Sequence, residues 1–260
     1  MDQLRAAILK TIRYGGQFGA DYGYEEIRER LISARKYPDE EINSKLREMN
    51  TVNINSMNSD LVTEKISKAE NLGKLLAERF PNILMVGVTG SVAAGTPKEN
   101  EDIDLMMIVK KDSLWITRLT VMIWIWVNRI PHRKYRLKQK KDDFCFNLWL
   151  EEESLKLPNS RKNLKNAMDL ILMKPVVSKD NIYERFVRKN EWVKKYVANG
   201  YNKIINNFRK NNINKKPSSS QFGKIINLLM FWLQYVYMKN KFNGETVDQK
   251  RAFFHPRYRK

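Results

Sequence analysis

The stretch Val86-Gly-Val-Thr-Gly-Ser-Val-Ala-Ala-Gly-Thr-Pro-Lys-Glu-Asn-Glu-Asp-Ile-Asp-Leu-Met-Met-Ile108 decides the fold, because it joins two apolar runs through a turn and a charged segment. Residues 83–88 are apolar and lie between Pro81 and Gly90. This pattern is typical of a strand that is buried on both faces. Residues 103–109 form the second apolar run and predict a neighbouring strand.

The turn after the first strand begins with Gly90-Ser91 and ends near Gly95. A sharp turn at this point presents backbone N–H groups and a hydroxyl at the start of the next segment. Such a concavity favours phosphate oxygens. We therefore expect Thr89, Gly90, Ser91 and Gly95 to form a phosphate-binding turn.

Two carboxylates, Asp102 and Asp104, stand one residue apart at the start of the second strand. The period of two along a strand sends both to the same face. Paired carboxylates repel each other when ionised, and their hard oxygen atoms favour Mg²⁺ or Mn²⁺. A solvated acidic pair is the alternative, but the Gly-Ser turn upstream favours a metal site.

The pattern Gly-Ser-x3-Gly-x6-Asp-x-Asp, from Gly90 to Asp104, resembles the signature of the polymerase β-like nucleotidyltransferase superfamily. The resemblance implies an α/β (α+β) core with a small mixed sheet. It also implies transfer of a nucleotidyl group from a nucleoside triphosphate, with the two aspartates as metal ligands and catalytic residues. The segment Asn190-Glu-Trp192 and the end of the chain resemble bacterial nucleotidyltransferase-domain proteins of undefined substrate.

A third carboxylate is expected from this resemblance, on a third strand. Residues 143–150 alternate, and the pattern predicts that Phe144, Phe146, Leu148 and Leu150 share one face. The opposite face then carries Cys145 and Asn147 at its centre, and neither is an acid. Either Asp143 serves as the third catalytic carboxylate, or the third ligand is missing.

Composition gives the broad class. The chain has 260 residues, of which 42% are hydrophobic, and contains six Trp, which excludes a disordered protein. Its single cysteine excludes an internal disulfide. The start lacks an apolar signal segment, and no apolar run is long enough to span a bilayer. We therefore expect a soluble cytoplasmic protein without membrane contact.

The formal net charge of +19 attracts polyanions and predicts a nucleic-acid partner, RNA or DNA. Biased composition without selection for binding is the alternative, because Lys, Asn and Ile are all abundant. A basic run follows His132, and a second basic group lies in a later helix. A solvated charged loop is the alternative for the run. The candidate nucleic-acid-binding residues are Arg133, Lys134, Arg136, Lys138, Arg188 and Lys189.

Three regions are expected. The pattern of residues 1–60 predicts short helices followed by a hairpin at 51–57. This combination resembles a winged helix. A helical cap packed on the core is an equal alternative. Residues 61–152 predict the nucleotidyltransferase core. Residues 153–260 predict a basic helical region, with a mobile linker at 199–220 and a core or dimer-contact helix at 222–237.

The leading functional hypothesis is a metal-dependent nucleotidyltransferase that acts on an acceptor hydroxyl of a nucleic acid. The missing acid on the third strand leaves open a weak or inactive nucleotide-binding or nucleic-acid-binding module that keeps the fold. An antitoxin-like enzyme that adenylylates a partner protein is the third possibility. The sequence does not predict the oligomeric state.

Overall fold

A computed structural model describes residues 2–50, 59–133, 140–208, 221–240, 242 and 244–254. These residues form ten α-helices, a six-stranded sheet and two short 3₁₀ turns. The helices are α1 Gln3–Gly16, α2 Tyr24–Arg30, α3 Asp39–Met49, α4 Ser59–Arg79, α5 Gly90–Ala94, α6 Leu114–Val127, α7 Leu164–Leu172, α8 Ile182–Lys189, α9 Ala198–Asn207 and α10 Gln221–Lys239. The strands are β1 Ile83–Val88, β2 Ile103–Val109, β3 Phe144–Glu151, β4 Lys174–Ser178, β5 Thr246–Asp248 and β6 Arg251–Phe253.

The sheet is mixed and has the order β4-β1-β2-β3-β6-β5. The central pair β2 and β3 is parallel, and every other neighbouring pair is antiparallel. The predicted small mixed sheet with helical additions is therefore confirmed. The three strands predicted from the sequence are the three central ones.

Helices cover both faces of the sheet, which explains the nearly continuous apolar pattern of β1 and β2. One face packs against α4, α6 and α10 and contains the fully buried Trp115 and Trp149. The other face packs against α7, α8 and α9. The carboxylate of Asp104 belongs to this second face, because its neighbour Leu105 points into the first core.

The N-terminal helices α1 to α3 enclose a small apolar core of their own. This region also contacts the rest of the chain. The amide of Asn199 exchanges two hydrogen bonds with the backbone of Tyr37, at 3.0 and 2.8 Å. These contacts fit a helical cap on the core. The predicted hairpin at 51–57 lies outside the described residues, so the winged-helix interpretation stays a prediction.

The C-terminal region adds helices, as predicted, and it also supplies β4, β5 and β6, which all follow residue 152 and complete the sheet. One prediction for this region was wrong. The predicted linker at 199–220 begins instead as helix, since α9 runs to Asn207, and residues 209–220 lie outside the described residues. The short strands were missed because segments of three to five residues carry too little alternation. The division into three regions stays a prediction.

Candidate active site

The turn after β1 is a short helix, α5, which begins at Gly90 and is followed by Gly95. Both glycines have a left-handed backbone conformation. Gly90 has φ of +67° and Gly95 has φ of +81°. A Cβ atom at Gly90 would collide with the carboxylate of Asp104. The glycine therefore allows the turn to approach the carboxylate closely. The side chain of Thr89, which precedes α5, makes no capping hydrogen bond to the helix.

The hydroxyl of Ser91 donates a 2.7 Å hydrogen bond to Glu101. The same carboxylate oxygen accepts a 3.1 Å hydrogen bond from the backbone N–H of Lys98. Glu101 thus closes the loop between α5 and β2, and it holds the Ser91 side chain in one orientation. The sequence pattern placed Glu101 only as a charged residue before Asp102, so this role was not predicted.

The two aspartates lie where the strand pattern predicted them. Asp102 precedes β2 and is buried, and its carboxylate pairs with Arg133 at 2.9 Å. Asp104 lies within β2 and accepts a hydrogen bond from the side-chain amide of Asn147. Both carboxylates therefore already hold a polar partner on the β3 side of the sheet.

Cys145 is the third member of this group. The parallel register pairs it with Asp104. One ligand atom each from Asp102, Asp104 and Cys145 lies within 4.8 Å of the others. Burial, reinforced by the two neighbouring carboxylates, raises the pKa of the Cys145 thiol far above its ordinary value. The thiol is therefore protonated here, and it donates a 2.8 Å hydrogen bond to Asn147.

Asn147 lies in a β-bulge. Leu105 pairs with Phe146 and the next residue, Met106, pairs with Leu148, so Asn147 is the extra residue of β3. The bulge reverses the alternation of the strand. Phe146 and Trp149 consequently share one core, whereas Leu150 packs into the other.

The predicted common face for the Phe and Leu residues of this strand was therefore wrong beyond Phe146. An alternating sequence pattern does not indicate where a strand carries an extra residue, so the position of the bulge could not be predicted from the sequence. Up to Asn147 the alternation holds, so Cys145 and Asn147 both lie on the side of the sheet that carries the Asp104 carboxylate.

Asp143 lies one residue before β3, and its backbone carbonyl accepts a 2.9 Å hydrogen bond from Ile103. It is not a member of the group formed by the two aspartates and Cys145 among the described residues. A role for Asp143 as a catalytic carboxylate thus stays a prediction.

The predicted basic residues have different environments. Arg133 pairs with Asp102; burial by itself would lower the pKa of Arg133, but this charge raises it overall. Arg188 is exposed and pairs with Glu184 on the same helix at 2.8 Å, and Lys189 is exposed beside it. Three further candidates, Lys134, Arg136 and Lys138, lie outside the described residues.

A buried lysine supports the loop before Asp102. The side chain of Lys65 on α4 is fully buried and pairs with Asp142 at 2.7 Å. It also donates a 2.7 Å hydrogen bond to the backbone carbonyl of Glu101. The more exposed Lys68 pairs with the second oxygen of Asp142 at 2.6 Å. Sequence analysis missed Lys65, because it resembles any polar residue of an amphipathic helix.

A buried arginine reaches the same turn from the N-terminal region. Arg30, the last residue of α2, donates a 3.0 Å hydrogen bond to the backbone carbonyl of Ala94 at the end of α5. Its guanidinium also lies 4.7 Å from the centre of the Tyr22 ring. The N-terminal helices therefore fix the C-terminal end of the turn.

The donor set fits a divalent cation. Two adjacent carboxylates are the hard ligands that bind Mg²⁺ or Mn²⁺. The third potential donor is the sulfur of Cys145, which as a thiolate would favour softer metals such as Zn²⁺, but burial raises the pKa of this thiol and keeps it protonated. Arg133 occupies one oxygen of Asp102 in the absence of a cation, so a cation at this place would compete with the guanidinium.

Comparison with known proteins agrees with this geometry. Residues 69–195 match the family model described as a nucleotidyltransferase domain, a range that includes the turn, both aspartates and β3. No curated protein and no solved structure matches the chain. Among the described residues, no helix combines the length and the apolar character that crossing a bilayer requires.

Proposed function

We propose that the protein is a metal-dependent nucleotidyltransferase, because residues 69–195 match the nucleotidyltransferase-domain family model and this match is consistent with the polymerase β-like superfamily. It would move a nucleoside monophosphate from a nucleoside triphosphate to an acceptor hydroxyl. The observation that carries this proposal is the group of Asp102, Asp104 and Cys145, which lies within the matched residues beside the Gly90 turn.

The triphosphate half of the proposed site is the turn from Thr89 to Gly95. Gly90 and Ser91 would bind the β- and γ-phosphates through backbone N–H groups and the Ser91 hydroxyl. Glu101 holds that hydroxyl before the nucleotide arrives. Phosphate binding would exchange this hydrogen bond for one to the nucleotide, while Arg30 keeps the far end of α5 in place.

The metal half consists of Asp102 and Asp104, which would hold Mg²⁺ or Mn²⁺. When bound, the cation would neutralise negative charge on the transferred phosphoryl group and on the leaving pyrophosphate. Asp102 must first release Arg133. The released guanidinium would then lie next to the triphosphate, where a planar cation binds phosphate oxygens well.

The acceptor half is less complete. An amide such as Asn147 cannot take a proton, and the thiol of Cys145 holds its own proton firmly. The acceptor hydroxyl would therefore attack without a carboxylate base from β3 unless Asp143 supplies one. We propose a nucleic acid as the acceptor, on the basis of the net charge of +19.

A second candidate function is binding of a nucleotide or nucleic acid without turnover. The specific observation in its favour is that β3 supplies a thiol, and no carboxylate, to the group around Asp104. The fold, the phosphate-binding turn and the net charge are compatible with either function. An assay for nucleotide transfer is therefore needed to distinguish an enzyme from a binding module.

The deciding experiment incubates purified protein with each α-labelled nucleoside triphosphate, with Mg²⁺ or Mn²⁺, and with RNA, DNA or cell lysate. The control is the Asp102→Ala/Asp104→Ala variant. We expect label on a nucleic-acid acceptor with the native protein and none with the variant. Label on a lysate protein would redirect the proposal to protein adenylylation.

Absence of label from every acceptor would reject the enzyme. Nucleic-acid binding that weakens steeply with salt and survives the double substitution would then favour the binding module. Loss of metal binding in the variant, measured by titration with Mn²⁺, shows independently whether the two aspartates form the cation site.

A further inference from the structure

Helix α10 carries a large exposed apolar surface. Fourteen large hydrophobic side chains are exposed among the described residues, and eight of them lie on this one helix. Their exposed fractions range from 39% for Leu228 to 73% for Phe222. The eight are Phe222, Ile225, Leu228, Leu229, Trp232, Leu233, Val236 and Tyr237.

The exposed residues have the spacing of a coiled-coil seam. Phe222, Ile225, Leu229, Trp232 and Val236 follow one another at intervals of three, four, three and four residues. This is the a and d pattern of a heptad repeat, which matches a second helix packed along the first. Leu228 and Leu233 flank the seam at the g and e positions.

The opposite side of α10 is fixed on the protein. Asn227 accepts hydrogen bonds from the backbone N–H groups of Trp115 and Ile116 at 2.7 and 3.3 Å. Two helical turns later, the side chain of Gln234 accepts a 2.5 Å hydrogen bond from Arg118 and donates a 2.8 Å hydrogen bond to the backbone carbonyl of Trp115. Asn227 and Gln234 occupy the f positions of two successive heptads, opposite the a and d positions, so α6 orients the apolar seam outward.

Area and charge also fit a helix partner. Covering an aromatic side chain removes roughly 150–250 Å² from water. The three aromatic residues are 52–73% exposed and therefore offer roughly 300–500 Å², and the five aliphatic residues add to this area. A stable dimer needs about 800 Å² from each partner. From Gln221 to Tyr237 the only charged residue is Lys224, which lies off the seam at a c position.

The undescribed segments on either side of α10 offer little to cover this surface. Residues 209–220 include one large apolar residue, Ile213, and residues 255–260 include only Tyr258 among large hydrophobic types. We infer that the α10 seam pairs with the α10 seam of a second copy, so that the protein is a dimer. The carboxylate group belongs to the other face of the sheet, so both sites stay open in such a dimer.

The test is sedimentation of the full-length protein between about 1 and about 100 µM, a range that covers weak and tight dimers. We expect twice the 30.8 kDa mass of one chain. The Leu229→Glu/Leu233→Glu variant should sediment as a monomer. Both replaced side chains are about 60% exposed, so the fold of one copy should be unaffected.

Leu75→Glu is the matched control, because Leu75 is 52% exposed on a different helix, α4. It should leave the dimer intact. A native protein that stays monomeric at the highest concentration overturns the inference, whatever the variants do. So does a dimer that survives the double substitution while circular dichroism shows a native fold.

A lipid surface is the competing occupant. Vesicles of phosphatidylcholine with phosphatidylglycerol would bind a monomeric protein through the same helix. Cosedimentation that the double variant abolishes, combined with a monomeric native protein, would replace the dimer with membrane-surface binding.

Discussion

Asn147 donates a hydrogen bond to the carboxylate of Asp104 from the extra residue of a β-bulge. A carboxylate at this place would face Asp104 with like charge and would require a cation between them. The amide instead satisfies Asp104 without any cation. Asn147 therefore gives Asp104 a neutral hydrogen-bond partner and supplies no third carboxylate oxygen at this place.

Replacing Asn147 with Asp should remove the hydrogen bond to Asp104 and add a third carboxylate to the site. Without metal, Asn147→Asp should lower the free energy of unfolding by about 1–3 kcal/mol, because a hydrogen bond is lost and a like charge is added. Saturating Mg²⁺ should restore that stability. If the added carboxylate serves as a base, transfer activity should rise about tenfold or more.

Asn147→Ala is the control for this experiment, since it removes the hydrogen bond without adding a ligand. It should be destabilised with and without Mg²⁺. Equal behaviour of the two variants in thermal unfolding would contradict the prediction. No gain from Asn147→Asp, together with loss of activity in Asp143→Ala, would place the third carboxylate at Asp143.

The sequence predicted the central strands and both aspartates because burial and the period of two dominate there. It did not predict the environment of Asp104. That environment depends on the parallel register of β2 and β3, which sets Cys145 and Asn147 beside Asp104 and joins segments that are distant in the sequence. A local sequence pattern does not indicate which residues of two neighbouring strands pair with each other.

Arg133 should compete with the cation for Asp102, since the guanidinium lies 2.9 Å from its carboxylate. Arg133→Gln should therefore strengthen Mn²⁺ binding by up to about fivefold, the range expected for a partly exposed ion pair. Calorimetric titration measures this change. Arg79→Gln, at an exposed end of α4, should leave Mn²⁺ affinity unchanged. Weaker Mn²⁺ binding in Arg133→Gln would show that the guanidinium supports the site instead of competing.

Gly90 should not tolerate a side chain. Gly90→Ala combines a φ of +67° with a Cβ that collides with Asp104, so unfolding free energy should fall by about 1–3 kcal/mol. Displacement of the carboxylate should also weaken Mn²⁺ binding. Gly16→Ala is the matched control, because a Cβ at Gly16 meets nothing within 4 Å. Urea unfolding and Mn²⁺ titration that show equal effects for both variants would contradict the close approach.

Lys65 should contribute more to stability than its neighbour Lys68, although both pair with Asp142. Lys65→Met removes a fully buried cation and the shorter of two hydrogen bonds to the Glu101 carbonyl, which should cost about 2–4 kcal/mol. Lys68→Met breaks a more exposed pair and should cost less than about 1 kcal/mol. Urea unfolding compares the two variants directly. Equal losses would show that Lys65 acts only as one of two surface charges.

Glu151 provides a prediction for the pH dependence of stability. Glu151 is the last residue of β3 and is 1% exposed. Its side chain lies beside the start of α6, where one oxygen accepts hydrogen bonds from the backbone N–H groups of Ser113 and Leu114 at 3.0 and 3.1 Å. The other oxygen is buried and has no hydrogen-bond partner among the residues that the structure describes. Burial raises the pKa of Glu151 above its ordinary value, and the hydrogen bonds only partly oppose this.

A carboxyl group whose pKa is higher in the folded state binds protons more tightly there than in the unfolded chain. It therefore lowers the free energy of unfolding as pH rises from about 4.3, the unfolded pKa, to the raised folded pKa. Glu151→Gln keeps the oxygen that accepts from Ser113 and Leu114 but cannot ionise. At pH 7 this variant should be more stable than the native protein, and the difference should vanish as pH falls below about 4. Urea unfolding across this range measures the difference, and a constant difference at all pH values would show that Glu151 is not the titrating group.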